Sequence, residues 1–203
     1  MDLGELTDIV CSQLFIELEA SGRHVHLTKE QAQTLFGHGL TPERPLSQPG
    51  QFLARERVTV QGPKGEFRNV AVLGPERTAG QVEISLTDGR VLGIAAPVRL
   101  SGDISGTPGA ILEGPSGTVR LSQGVIVAQR HVHLPPQAAE HFGVKHGQLV
   151  RLRALTDRPL VFEEVAVRVS PDFAPYAHLD YDEANACGFR KGDFGRIEPC
   201  GRC

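Results

Sequence analysis

An exact internal repeat constrains the fold of this chain more than any other feature. The pentapeptide Arg23-His-Val-His-Leu27 returns as Arg130-His-Val-His-Leu134, about half the chain later. A helix start follows each copy: the capping-box pattern Thr28-Lys-Glu-Gln31 in the first and Pro135-Pro136 in the second. An identical pentapeptide in matched context indicates duplication. We therefore expect two similar halves, each containing a strand, a turn and a short helix.

A second, fainter correspondence follows each pentapeptide. The stretch from Val82 to Ile94 aligns with that from Ala177 to Phe189, although only Gly93 and Gly188 are identical. Apolar and polar residues alternate at the start of both stretches, which is typical of strands. The alignment places Glu83 at the position of His178.

Glycine and proline are abundant, with 23 and 14 residues in a chain of 203, and aromatic residues are few. Because glycine and proline form turns, this composition favours many short strands, and therefore a mainly β fold of the barrel or sandwich type. A Pro/Gly-rich region near 37–57 is interpreted as a loop inserted in the first half. Besides the strands named above, the pattern predicts strands at 15–18, 58–60, 67–73, 91–94, 118–121, 125–128, 149–152 and 161–169.

Residues 1–13 stand apart, because Leu3, Leu6, Ile9 and Val10 mark one face of an amphipathic helix. Two interpretations stay open. The helix packs on the adjacent domain, or it is a detachable targeting or partner-binding segment.

The repeated His-x-His motif is the best candidate for a metal-binding site. Side chains two residues apart in a strand point to the same face, so His24 with His26, and His131 with His133, can each converge on one metal ion. A third ligand from a distant strand would complete a three-ligand site with an open position, as in catalytic zinc sites. Glu83 and His178 are the candidates. A hydrogen-bonded pair of surface histidines is the alternative, and the duplication argues against it. We expect His38, His141 and His146 to face solvent.

Arg77 precedes Glu83 in the turn Gly74-Pro-Glu-Arg77. Arginine there could bind phosphate or carboxylate bidentately, or it could be an exposed loop residue.

Several function classes lack their signatures. The net charge is −3 without a basic run, so nucleic acid is not expected as a partner. No apolar run is long enough to span a membrane, and no signal segment opens the chain, so we expect a cytoplasmic protein.

The four cysteines, Cys11, Cys187, Cys200 and Cys203, do not form a disulfide framework. The terminal Cys200/Cys203 pair is a solvated tail or an accessory metal or redox site.

With these residues the chain resembles the PduL-type phosphate acyltransferases, or phosphate propanoyltransferases. The resemblance covers about residues 15 to 198. It rests on both pentapeptides and on four further motifs: Gln81-Val-Glu-Ile-Ser85, Leu92-Gly-Ile-Ala-Ala-Pro-Val-Arg-Leu-Ser-Gly102, Ser105-Gly-Thr-Pro-Gly109 and His178-Leu-Asp-Tyr-Asp-Glu-Ala-Asn-Ala186.

The resemblance implies two capped β-barrel domains related by pseudo-twofold symmetry, one from residues 14–22 and 129–199 and the other from 23–128. It implies two Zn²⁺ ions per chain, the first held by His24, His26 and Glu83 and the second by His131, His133 and His178. It implies that Arg77 contacts the phosphate substrate. The implied reaction exchanges a short acyl group, propanoyl or acetyl, between coenzyme A and phosphate.

Some members of this family carry an N-terminal helix that packages them in bacterial microcompartments, and residues 1–13 are similar to such a segment. Shell or cargo proteins, and a second copy of this chain, are therefore further candidate partners. The sequence does not indicate which residues bind coenzyme A.

Two other function classes are compatible with the residues alone. A dinuclear zinc hydrolase would use the same six ligands to generate hydroxide. A non-enzymatic metal-binding β-barrel would need neither Arg77 nor open metal positions.

Overall fold

The computed structural model describes Asp2 and residues 14–199, and β-strands dominate it, which confirms the predicted mainly β class. The strands, numbered in chain order, are β1 (Ile16–Ser21), β2 (His24–His26), β3 (Pro42–Pro45), β4 (Phe52–Gln61), β5 (Glu66–Gly74), β6 (Gln81–Ile84), β7 (Val98–Arg99), β8 (Ala110–Glu113), β9 (Thr118–Leu121), β10 (Val125–Ala128), β11 (His131–Leu134), β12 (Leu149–Leu155), β13 (Leu160–Val169), β14 (Tyr176–Asp180) and β15 (Phe194–Pro199). The helices described are α1 (Lys29–Phe36), α2 (Leu86–Leu92), α3 (Pro136–His141) and α4 (Tyr181–Cys187).

The chain divides into two compact units, each with its own hydrophobic core. One unit runs from Gly22 to Ala128, and the other combines the chain up to Ser21 with the chain from Gln129 onward. The second of these is a closed six-stranded barrel in the order β1-β14-β11-β13-β12-β15, which the antiparallel pairing of β15 with β1 closes. The first is a nine-stranded sheet in the order β7-β10-β6-β2-β5-β4-β8-β9, with β3 beside β4.

The pentapeptide strand has the same neighbours in both units. In the sheet, β2 pairs antiparallel with β6 and parallel with β5. In the barrel, β11 pairs antiparallel with β14 and parallel with β13. The histidines lie on one face of these strands, so the alternate residues point into the cores, where Val25, Leu27, Val132 and Leu134 are fully buried. The repeat in the sequence is therefore a repeat in topology.

The strand that precedes each pentapeptide belongs to the other unit. β1 comes directly before β2 but pairs with β14 in the barrel, and β10 comes directly before β11 but pairs with β6 in the sheet. Both pairings are parallel. The chain therefore passes from one unit to the other immediately before each pentapeptide.

Helix capping corrects two of the sequence predictions. The alternation after Gln81 predicts a strand continuing through Leu86, and a further strand at 91–94, but β6 ends at Ile84 and α2 occupies Leu86–Leu92. Ser85 and Asp88 form a capping box, which satisfies the first free N–H groups of the helix and overrides the strand pattern. In the barrel, Asp180 and Glu183 do the same for α4, so Tyr181 begins a helix instead of continuing a strand.

The glycine shared by the two stretches also has a structural explanation. Gly93 follows α2 with φ 73°, and Gly188 follows α4 with φ 65°. Both end their helix in the left-handed conformation, which glycine adopts without a steric penalty. The single identity in the fainter alignment is therefore the C-cap of equivalent helices.

The arginine of each pentapeptide binds the carboxylate inside the capping box of its unit. Arg23 donates from Nη2 to Asp88 Oδ1 at 2.7 Å and from Nε to Oδ2 at 3.1 Å, and its guanidinium lies over the Phe67 ring. In the barrel, Arg130 Nη1 lies 2.6 Å from Glu183 Oε1. Each arginine thus connects the His-x-His strand to the helix that follows the strand of Glu83 or His178.

Three further sequence predictions concern the region 37–57, the chain termini and membrane-spanning segments. The region 37–57, interpreted as an inserted loop, contains β3 and the first part of β4. The N-terminal helix and the Cys200/Cys203 pair fall outside the described residues, apart from Asp2 and Leu14. No helix in the described part of the chain combines the length and apolar character needed to cross a bilayer.

We predict that Asp88→Asn lowers the free energy of unfolding by about 1.5–3 kcal/mol, the range for hydrogen bonds to charged groups. The side chain of Asp88 is 6% exposed, and asparagine would turn one acceptor of Arg23 into a donor. The control is Glu66→Gln, whose partner Arg68 is 81% exposed, and it should cost less than about 1 kcal/mol. Urea unfolding of the full chain measures both. Equal costs for the two variants would contradict the structural role of Asp88.

Candidate metal centres

The first centre consists of His24, His26 and Glu83. β2 and β6 pair so that His24 lies directly opposite Glu83. Glu83 Oε1 is 3.5 Å from His24 Nε2 and 3.6 Å from His26 Nε2, and each residue is at least 90% buried. One ligand atom from each residue lies within 4.8 Å of the others. The structure therefore brings together the three residues that the sequence placed in the first site.

Backbone carbonyls orient both imidazoles of the first centre. His24 Nδ1 lies 2.8 Å from the carbonyl oxygen of Gly22, and His26 Nδ1 lies 3.3 Å from that of Leu73. A carbonyl only accepts, so each Nδ1 carries a hydrogen, and in the neutral ring the lone pair is on Nε2, the nitrogen nearer to Glu83. This is the tautomer that a metal-binding histidine needs.

The carboxylate sets the electrostatics of the first centre. Burial would raise the pKa of Glu83, but the charge and hydrogen bonds that His24 and His26 supply when protonated hold it well below its ordinary value. Burial would lower the pKa of His24, but Glu83 and the Gly22 carbonyl raise it. Burial, with the nearby His24 and Arg77, lowers the pKa of His26 to about 4 despite the Glu83 hydrogen bond. The centre thus contains an ionised carboxylate and a neutral imidazole, which suits a cation.

Two side chains that the sequence did not single out hold Glu83 in place. Its Oε1 accepts hydrogen bonds from Ser101 Oγ at 2.7 Å and from Gln81 Nε2 at 2.5 Å. Gln81 is fixed in turn, because its Oε1 accepts from the Gly102 N–H at 2.8 Å. Both residues lie in motifs of the family resemblance, and that is the signal that could have identified them.

Arg77 lies beside the first centre. Its Nη1 donates to Ser101 Oγ at 3.0 Å, and its backbone N–H donates to the Leu27 carbonyl at the end of the pentapeptide. The residue is half-buried, so the interpretation as an exposed loop arginine is wrong. Ser101 gives its single proton to Glu83 and accepts from Arg77, which connects the guanidinium to the candidate ligand carboxylate.

The second centre consists of His131, His133 and His178. Register pairs His131 with His178 across β11 and β14, as it pairs His24 with Glu83 in the sheet. The three ring centroids are 4.6 to 4.9 Å apart. His131 Nδ1 lies 2.8 Å from the Gln129 carbonyl oxygen, the same two-residue contact that His24 makes with Gly22. Both ring nitrogens of His133 and Nε2 of His178 are buried.

Two further residues contact the second centre, and the sequence pattern did not indicate either. The Phe173 ring stacks on His133 at a centroid distance of 4.0 Å. Glu19, on β1, places Oε2 3.3 Å from His178 Nδ1. Both contacts join residues distant in the sequence, so no local motif could reveal them.

Both donor sets fit a zinc ion. Two imidazoles with a carboxylate, or three imidazoles, are combinations that zinc binds, and three protein ligands leave one position for a substrate atom. In the part of the chain that the structure describes, these are the two groups of three histidine, cysteine or acidic residues clustered closely enough to hold a metal ion. His38, His141 and His146 lie outside both groups and are exposed, as expected.

Comparison with known proteins gives a consistent result. A family model described as phosphate propanoyltransferase matches residues 17–190. The phosphate propanoyltransferase of Listeria monocytogenes is 54% identical over 195 residues, covering 95% of this chain and 92% of the relative. That of Enterococcus faecalis is 56% identical over 183 residues, covering 89% and 87%. That of Salmonella typhimurium is 50% identical over 175 residues, covering 85% and 83%.

We predict that Ser101→Ala lowers the Zn²⁺ affinity of the first centre by about 10- to 100-fold, the usual cost of losing a hydrogen bond to a metal ligand. Alanine removes the donor to Glu83 and the acceptor for Arg77. Competition with a chromophoric chelator measures the affinity. Ser122→Ala is the control, since Ser122 is exposed in the same unit and should leave both affinities unchanged. If the two variants bind zinc equally well, Ser101 does not support the centre.

Proposed function

The chain belongs to the phosphate propanoyltransferase family, and on this premise we propose that it exchanges a short acyl group between coenzyme A and inorganic phosphate with two zinc ions as cofactors. The reaction is acyl-CoA + phosphate = acyl phosphate + CoA. One observation at the site supports this proposal most directly. Arg77, a side chain suited to binding an anion, is connected through Ser101 to Glu83, the proposed carboxylate ligand of the first centre.

Arg77 would hold and orient phosphate. A guanidinium presents a planar array of donors that matches two phosphate oxygens. Its contact with Ser101 through Nη1 holds the guanidinium beside the first centre. When bound, zinc would supply Lewis-acid chemistry by lowering the pKa of the coenzyme A thiol and polarising the acyl carbonyl.

The group transfer needs no protein nucleophile. A phosphate oxygen forms the new bond to the acyl carbon, the bond from that carbon to sulfur breaks, and the sulfur keeps the electron pair. Cys187 is the one cysteine within residues 14–199, and it is unsuited to attack. It is fully buried, burial raises the pKa of its thiol, and it donates a hydrogen bond to the Ala184 carbonyl. These features argue against an acyl intermediate on Cys187, the cysteine that the structure describes.

The two centres offer different charges to their ions. Glu83 contributes an anionic ligand to the first centre, whereas the second offers three imidazoles. The first therefore suits the thiol, and the second suits an anionic oxygen.

The two alternative functions have less support. A dinuclear zinc hydrolase would use the same ligands, but the three relatives described above are named as transferases. A non-enzymatic metal-binding barrel would not need the connection between Arg77 and Glu83. Association of residues 1–13 with a microcompartment, and assembly into a homo-oligomer, stay predictions from the sequence.

We predict that the purified chain releases free thiol from acetyl-, propanoyl- or butanoyl-CoA only when phosphate is present. A thiol reagent measures the release, and hydroxylamine traps the acyl phosphate. Elemental analysis should give two zinc ions per chain, and chelation should abolish turnover until zinc is restored. Thiol release without phosphate would identify a hydrolase instead. Full activity with one metal ion or none would contradict the two-centre proposal.

We predict that Arg77→Ala lowers turnover by at least about 100-fold, as expected for loss of a main electrostatic stabiliser. The KM for phosphate should rise while zinc content stays at two, because Arg77 is not a proposed ligand. Arg90→Ala is the matched control, since Arg90 is exposed in the same unit and should leave the kinetics unchanged. An unchanged KM for phosphate with a changed KM for acyl-CoA would reassign Arg77 to the other substrate.

A further inference from the structure

Glu19 is a carboxylate at the second centre that the three-histidine ligand set does not include. It lies on β1, its Oε2 is 3.3 Å from His178 Nδ1, and its side chain is 37% exposed. The His178 side chain is 11% exposed, so the imidazole is largely enclosed at this contact. Nδ1 faces Glu19 and the buried Nε2 is the other ring nitrogen. A carboxylate only accepts, so this contact keeps the hydrogen on Nδ1 and the lone pair on Nε2.

The backbone register explains why a carboxylate lies at this point. β1 runs parallel to β14, and Glu19 is the register partner of His178. In the sheet, β10 occupies the corresponding place beside β6, and the register partner of Glu83 is Ile126, which is fully buried. In the first centre the carboxylate, Glu83, is itself the candidate third ligand. In the second centre that position is His178, and the carboxylate, Glu19, lies on the neighbouring strand.

We propose that Glu19 is a positioning residue that orients His178 for metal binding and supplies from one strand away the negative charge that Glu83 supplies directly in the first centre. The proposal rests on the two zinc centres proposed above. A carboxylate hydrogen-bonded to a histidine ligand fixes its tautomer and ring orientation and makes it a stronger base. Each centre then has one carboxylate, as a ligand in the first and behind a ligand in the second.

This arrangement alters the expected charge difference between the centres. Three neutral imidazoles alone would leave the second ion with its full positive charge. Glu19 offsets part of that charge without occupying a coordination position. The second centre therefore keeps an open position for an anionic oxygen while its histidines bind the ion more tightly.

The neighbouring carboxylates have other partners. Glu17 lies on the same face of β1, two residues before Glu19, and is the register partner of Tyr176, whose hydroxyl pKa is raised by burial and by the nearby Glu17. Asp180, which follows His178, accepts from the Glu183 N–H as the N-cap of α4. Glu17 therefore provides a matched control for Glu19, with the same strand, face and charge but a partner that is not a ligand.

The test measures Zn²⁺ affinity of the full chain by chelator competition in Glu19→Gln, Glu19→Ala and Glu17→Gln. The affinity that His178→Ala removes identifies the second centre. Glu19→Ala should lower that affinity by about 10- to 100-fold, the typical effect of removing an outer hydrogen bond. Glu19→Gln keeps an acceptor and loses the charge, so its loss should be smaller. Glu17→Gln should match the unaltered chain, and the first-centre affinity should not change in any of the three.

A double variant and a stability measurement exclude a merely structural role. In a His178→Ala background, Glu19→Ala should change no remaining zinc affinity, because the ligand it orients is gone. The thermal midpoint of the metal-free chain should be the same for Glu19→Gln and Glu17→Gln. Glu19→Gln is nearly isosteric and keeps the test decisive if the alanine variant does not fold.

The outcomes separate this inference from the proposed function. If the unaltered chain binds two zinc ions and neither Glu19 variant weakens the second, Glu19 does not position His178, and the zinc centres stand. If the unaltered chain binds no zinc through His178, the proposed second centre and this inference both fail. If Glu17→Gln weakens zinc binding as much as Glu19→Gln, the effect is a general charge effect and the specific contact is refuted.

Discussion

The ion pair between each pentapeptide arginine and a capping-box carboxylate is the contact on which both centres depend. Arg23 binds Asp88, and Arg130 binds Glu183. Each carboxylate also accepts the N–H of the residue that caps its helix, so it fixes the point where the third-ligand strand ends. The arginine adjoins the first histidine of its motif. One contact therefore helps to set the position of the His-x-His pair relative to the candidate third ligand.

On this shared framework the two centres differ in where they place negative charge. Glu83 is a ligand candidate itself and is held by Ser101 and Gln81. The equivalent position carries His178, and Glu19 contacts it from the neighbouring strand. A duplicated scaffold can thus keep the same register while two positions, the candidate third ligand and its register partner, differ and would give bound ions different electrostatic surroundings. Such a difference suits a reaction in which a thiol and a phosphate oxygen require different stabilisation.

A single hydroxyl group, that of Ser101, connects the polar side chains of the first centre. Its hydroxyl has one proton, which goes to Glu83, and its lone pairs accept from Arg77 and Gln81. All three contacts lie in a largely enclosed environment, where hydrogen bonds to an ionised group are stronger than in water. Arg77 and the candidate ligand Glu83 are consequently connected through a single atom, Ser101 Oγ.

The sequence by itself determined the repeat, the convergence of each histidine pair and, through alignment, the equivalence of Glu83 and His178. These follow from local periodicity, because residues two apart in a strand must share a face. The family resemblance already implied that residues 14–22 join the C-terminal domain. Tertiary structure alone decided that β1 pairs with β14 and β10 with β6, that helices replace the strands expected after Ile84 and at 91–94, and that Ser101 and Glu19 reach the two centres. Strand exchange and cross-strand partners depend on register between distant segments, which a local pattern does not encode. The helix starts had a local signal in Ser85 and Asp180, but only the packed arginines show why capping prevails over the alternating pattern.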